Sequence, residues 1–293
     1  MRSPVNAGLV AAGAMLLGLV LPPLGWLSGA VIGLVALRLG AAATLRVAVP
    51  ALAGLGLAGA LALGQGQGVA IALSGLGFWL PVMVLALVLR QRVRLNDTLL
   101  VACAMGWLLV AAIWLALGDP APYWQERLLQ VFPPSEWGQR LQVSADAVRT
   151  MWTTLAPLMT GLLATATVLG ALLSLLLARW LQAALYNPGG FGREFRSLRL
   201  GRTAAVVVLG LGGLALVTGS PLIDSLALVA AAVYAFQGLA VAHGVVHAAG
   251  LGPGWLVALY IALVLPPVLP YAATGLLVLG GADAWADYRR RVP

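Results

Sequence analysis

His243 and His247 stand four residues apart in the apolar stretch 221–249, a spacing that sets two imidazoles on one face of a helix. Two such rings could share a proton or begin a metal site. A metal needs further ligands, and no Cys, Glu or Asp stands at supporting spacing, so no metal or cofactor is expected here. The residues favour a pair of packing or interfacial histidines, with a proton-sensing or substrate-binding pair as the alternative. The same stretch holds Asp224 and Gln237. Asp224 follows Ser220 and Pro221 and is expected to open a helix near the outer surface, where the helix dipole favours it. Gln237 falls in mid-stretch, where an amide is costly unless paired, which makes it the better pocket candidate, with Tyr234 and Tyr260 as companions. Gln237, His243, His247, Tyr234 and Tyr260 form the candidate ligand-binding set.

A second constellation lies at 187–202, NPGGFGREFRSLRLGR. Pro188, Gly189 and Gly190 break the preceding helix. If 191–198 is helical, Phe191, Phe195 and Leu198 share a face while Arg193 and Arg196 point away. That pattern predicts a short interfacial helix with its rings in the headgroup region and Arg193, Arg196, Arg199 and Arg202 among lipid phosphates. Docking of a partner protein on the same surface is the alternative. HExxH, GxxxxGK[ST] and a strand-bound GxGxxG are missing, and Ser74 in ALSGLG lacks the first glycine of a GxSG nucleophile, so the chain is expected not to be an enzyme.

The elements that must position these residues follow from composition. The chain is 61% hydrophobic and 9% charged, with a mean hydropathy of +0.98. A soluble fold of 293 residues could not cover that much apolar surface, so its solvent is lipid. The net charge of +8 comes entirely from arginine and reads as the positive-inside bias; the basic residues lie in short connectors, which argues against nucleic-acid binding. Cys103 stands alone, which excludes a disulfide framework. The expectation is a single all-α integral membrane domain over 1–293, a polytopic bundle of about eight to ten transmembrane helices with no soluble domain.

Apolar blocks run over 7–37, 47–64, 69–89, 98–117, 151–181, 203–218, 221–249 and 254–281. The first is read as a retained membrane segment, since no polar mature domain follows it. The first and last blocks exceed one upright span, and each contains LVLPP, at 19–23 and 263–267. A proline pair interrupts a helix, so each block is either a tight hairpin or one broken, tilted helix. An internal repeat would give the same echo, but five residues are a weak match in so Leu- and Val-rich a chain. Sidedness follows arginine: Arg90, Arg92 and Arg94, and the amphipathic connector 182–202, belong in the cytoplasm, and the slightly acidic connector 118–150 belongs outside. With both proline blocks folded back, Arg2 and the terminal YRRR at 288–291 also fall inside, giving N-in, C-in topology. Within 118–150, Trp124, Leu128 and Val131 mark one amphipathic helix ended by Pro133 and Pro134. Ser135 is expected to cap a second helix carrying Trp137, Leu141, Val148 and Trp152. Both should lie on the outer surface, or act as a lid over an outward-facing cavity.

NPGGFGREFRSLRLGR, together with FQGLAVAHG at 236–244 and GGADAWADYRRR at 280–291, resembles the YybS-like family of bacterial membrane proteins of unknown function. That family is in turn similar to the substrate-binding S components of energy-coupling-factor transporters and to MreD-like cell-shape proteins. The resemblance implies an S-component-like core that binds a small molecule or serves a transport complex. It also implies a partner-docking face of small residues on the first helix, for which Ala7 and Ala11, or Gly8 and Ala12, have the spacing. The rival expectation is a structural or assembly protein that recruits another membrane protein through 187–202.

Overall fold

The computed structural model describes residues 3–18 and 20–288, and every regular element among them is helical. Arg2, Leu19 and residues 289–291, on which part of the topology reading rests, lie outside the described residues. The first apolar block is two helices, α1 (Pro4–Gly18) and α2 (Pro22–Leu39), the second opening on its proline pair. Proline is at home there, because the first turn of a helix has no use for its missing N–H. The two helices form an antiparallel hairpin. Gly18 sits against Gly25, and the buried Ser28 donates to the Ala11 carbonyl at 2.7 Å. Ala7, Gly8 and Ala11, the small residues expected to face a partner, are buried within the chain, with Gly8 against Val47 and Ala51.

α3 (Ala41–Leu63) and α4 (Gln65–Arg92) make a second hairpin, turned at Gly64, whose φ of +100° suits glycine. α5 (Leu95–Leu117) leads to the amphipathic connector, which holds three helices where two were expected: α6 (Ala121–Val131), α7 (Pro134–Leu141) and α8 (Ala145–Leu155). Ser135 is not a cap. Proline occupies the capping position of α7, and Ser144 caps α8 by accepting from the Ala147 N–H at 3.1 Å. Gln142, in the left-handed region at φ +57°, separates α7 from α8. Leu128 and Val148 are buried as their periodicity predicts, whereas Val131 and Leu141 are exposed. A 3-10 turn at Ala156–Leu158 joins α8 to the long α9 (Met159–Tyr186).

After α9 come the short α10 (Gly190–Arg196), then α11 (Gly201–Thr218), α12 (Pro221–Ala248), α13 (Gly254–Val264) and α14 (Leu269–Ala286). The second LVLPP also breaks its block, between α13 and α14, but α14 packs chiefly on α12 and only lightly on α13, so this break is not a tight hairpin. Seven helical runs among the described residues are long and apolar enough to cross a membrane, with α1, α13 and α14 as shorter or less apolar companions. The chain is thus a polytopic membrane helix bundle. Its core lies between α2, α4, α5, α9 and α12, where Leu85, Leu99, Leu172, Leu175 and Val229 are fully buried.

The two ends of the bundle differ in charge. Arg90 donates to the Leu37 carbonyl at 3.2 Å, Arg38 stacks on Tyr186 at 3.7 Å, and the Arg199 N–H reaches Asn96 at 3.2 Å. These contacts bring the α2–α3, α4–α5, α9–α10 and α10–α11 junctions, and their arginines, to one end. α6, α7 and α8 lie at the other end of α9, with Asp119, Glu126, Glu136 and Asp146. There the Trp124 indole donates to Thr160 at 2.8 Å, fastening the connector to α9, and the Trp152 indole donates to the Phe132 carbonyl at 3.1 Å, tying α8 to the end of α6.

Candidate functional site

The predicted ligand-binding set divides in two. Gln237 and Tyr234 lie inside the bundle, 1% and 2% exposed. The Gln237 amide oxygen accepts from the Leu200 N–H at 2.7 Å, and its nitrogen donates to the Gly280 carbonyl at 2.8 Å and to the Tyr234 hydroxyl at 3.3 Å. Tyr234 itself donates to Gly280 at 3.2 Å. An amide so fully engaged has little capacity left for a ligand. It ties α12 to α14 and to the start of α11.

His243 and Tyr260 form the other half, at the basic end. The His243 Nδ1 contacts the Leu239 carbonyl at 2.9 Å and its Nε2 contacts the Tyr260 hydroxyl at 3.2 Å. A carbonyl can only accept, so Nδ1 is the donor to the preceding turn. The ring also meets Phe195 edge-on at 5.4 Å. His247 is exposed and makes none of these contacts, so the two histidines do not act as a pair. Among the described residues no cluster of His, Cys, Asp and Glu could hold a metal.

The apolar side of the stretch 187–202 packs against the bundle. Phe195 and Leu198 are buried, and Phe191 packs on the same core as it stacks on Phe195. The arginines differ accordingly. Arg199 pairs with Asp287, whose hydrogen bond pushes the guanidinium above its already high ordinary value. Arg202 donates through Nε to the Ala284 carbonyl at 3.1 Å. Glu194 is held by Arg179 at 2.7 Å, and Arg193 is exposed. Arg196 is partly buried.

Three segments distant in sequence, 187–202, 236–244 and 280–288, thus meet at one junction through Leu200, Gln237, Gly280, Arg202 and Arg199. Glycine makes the approach possible. A Cβ on Gly238 would lie 2.0 Å from the Leu276 carbonyl oxygen, and one on Gly280 would lie 2.8 Å from the Gly238 nitrogen. The buried Asp283 stands beside this junction, near enough for its charge to act on Arg199.

Beside the junction opens a groove. α11 buries only Ala205 and packs on α12 and, more lightly, on α14, leaving a cavity of about 950 Å³ between α11, α12, α14 and the start of α9. Leu209, Gly212, Leu216, Leu228, Val278 and Trp285 line it, with Tyr234 between them and Asp224 among the first residues of α12. A smaller cleft of about 230 Å³, lined by Cys103, Trp107 and Val207, flanks the other side of α11. Sequence pattern misses the groove because it arises from missing neighbours. Its only trace is the Gly210, Gly212, Gly213 run, where an added Cβ would meet nothing within 4 Å. Comparison with family models, curated proteins and solved structures finds no match to the chain.

Proposed function

We propose that this is a non-enzymatic protein of the bacterial inner membrane, with its basic end in the cytoplasm, that binds a largely apolar small molecule taken from the bilayer. The observation that carries the reading is the groove beside α11: about 950 Å³, apolar along its length and bordered by few polar groups, as ligand sites commonly are. The buried polar side chains do not compete for the role, because Gln237 and Tyr234 are spent on holding α12, α14 and α11 together. The resemblance to the YybS-like family, and through it to S components, supports the same transport-related role. The described parts of the three segments that carry it meet at the junction beside the groove. The rival role, recruitment of a partner through 187–202, keeps only a polar surface, since the apolar half of that segment packs inward.

Filling the groove tests the reading. Gly212→Phe places a ring in open space and removes a poor helix former, so the fold should hold. Native mass spectrometry of the full chain should find a small, largely apolar molecule on the parent and not on Gly212→Phe. A parent that carries nothing, or a variant that carries the same molecule, overturns the reading. A reproducible protein partner on an empty parent would favour the rival.

A further inference from the structure

We infer that the groove takes a lipid with an anionic phosphate head, the chain lying along α11 and the head set against Arg202. The inference rests on the groove reading and adds the chemistry of the occupant. Arg202, Ala205, Leu209, Gly212 and Leu216 recur at helical spacing and make one stripe of α11, the last four lining the groove and Arg202 standing at its end. Across from it, Ala282 and Trp285 line the α14 wall, and the Arg202 Nε bond to the intervening Ala284 carbonyl fixes the guanidinium at that wall. Among the described residues that bond is the one Arg202 makes, so its terminal amino groups remain for an anion, which a guanidinium binds in two places at once. At the same end Arg199 is engaged with Asp287, Arg179 with Glu194 and Arg90 with backbone carbonyls.

Charge also sets the direction of the occupant. Asp224 borders the groove near the other end of α11 and would repel a phosphate there, while Arg202 attracts it at the basic end of the bundle, at the level where headgroups lie. From Arg202 to Leu216 the stripe is about 21 Å long at the helical rise. That exceeds half of a hydrocarbon core of about 30 Å, so the chain of a lipid from one leaflet can lie along it. An uncharged molecule would leave the guanidinium unused.

The test uses the full chain in neutral detergent, titrated with phosphatidylglycerol and with phosphatidylcholine bearing the same brominated acyl chains. The difference in tryptophan quenching between the parent and Trp285→Phe reports a chain in the groove. Both lipids should give this Trp285-dependent signal, and phosphatidylglycerol should half-saturate it at a roughly tenfold lower concentration. Arg202→Gln should make the two lipids equal, Arg202→Lys should keep most of the preference, and Arg193→Gln should change nothing. Arg202→Met replaces the Gln variant should that one not hold its fold. Equal affinities in the parent overturn the inference, as does a preference that survives removal of the Arg202 charge or is lost equally in Arg193→Gln. Competition by inorganic phosphate in excess would make Arg202 a site for the free ion, and a dimer with Trp285 shielded from both lipids would make the occupant a second copy; either overturns it. Absence of any Trp285-dependent signal would instead sink the groove reading beneath it.

Discussion

Gln237 joins three helices, because its amide meets Leu200 at the start of α11, Tyr234 on its own α12 and Gly280 on α14. Replacing it with leucine keeps the volume and orphans the Leu200 N–H, while the Gly280 carbonyl loses one of its donors. An unmet buried backbone group costs about 1–3 kcal/mol, so Gln237→Leu should lower stability by that amount in detergent melting curves. His247→Ala, at an exposed position, should stay within about 0.5 kcal/mol of the parent. Because Gln237 is 1% exposed and has no share in the groove lining, groove occupancy measured on the folded variant should be unchanged. A Gln237→Leu protein as stable as the parent but empty would restore Gln237 as a ligand-binding residue. The sequence made Gln237 visible as a costly mid-membrane amide. Its partners stayed hidden because Leu200 and Gly280 lie 37 and 43 residues away, and local pattern carries no pairing information at that range. His243 and His247 mislead for the converse reason: helical spacing puts them on one face but does not decide what covers it. Phe195 and Tyr260 cover only the first.

At the scale of elements, what was legible is what backbone chemistry dictates. Both proline pairs interrupt their blocks because proline lacks a donor, and Pro188 with two glycines ends α9. The break between α7 and α8 has no such marker. The Val143 N–H reaches back to the Gly138 carbonyl at 2.9 Å and Gln142 turns left-handed, a closure permitted because Gly138 leaves room against the Val143 carbonyl. What keeps the first hairpin closed is likewise invisible in the pattern. Ser28 donates to the Ala11 carbonyl on α1 and accepts from the Trp79 indole of α4 at 2.9 Å, so one hydroxyl links three helices. Ser28→Ala would leave the indole N–H of a side chain that is 2% exposed without a partner in an apolar setting. The expected loss is about 1–3 kcal/mol of stability, with α1 becoming the first segment to open. Hydrogen exchange should then rise in α1 before it rises in α9. A uniform rise across the bundle would mean that the hydroxyl does not govern the hairpin.

For the whole molecule the question is which end faces the cytoplasm. α9 has 28 residues, about 42 Å at the helical rise, longer than the roughly 30 Å of hydrocarbon it would cross. The amphipathic helices before it and α10 after it therefore belong on opposite faces. The positive-inside bias chooses between the two orientations, because translocating arginine is disfavoured while Asp and Glu count little. Contacts gather Arg38, Arg90, Arg179 and Arg199 at the α10 end, so charges scattered through the sequence act as one block. The native Cys103 lies within α5 and can be replaced by alanine to give a silent background. In that background, Glu136→Cys and Ser197→Cys place single thiols at exposed positions at the two ends. An impermeant maleimide applied to intact cells should label position 136 at once and position 197 only after the membrane is opened. The reverse order would turn the protein over. Arg202 would then face the outer leaflet, and the groove would draw its lipid from there.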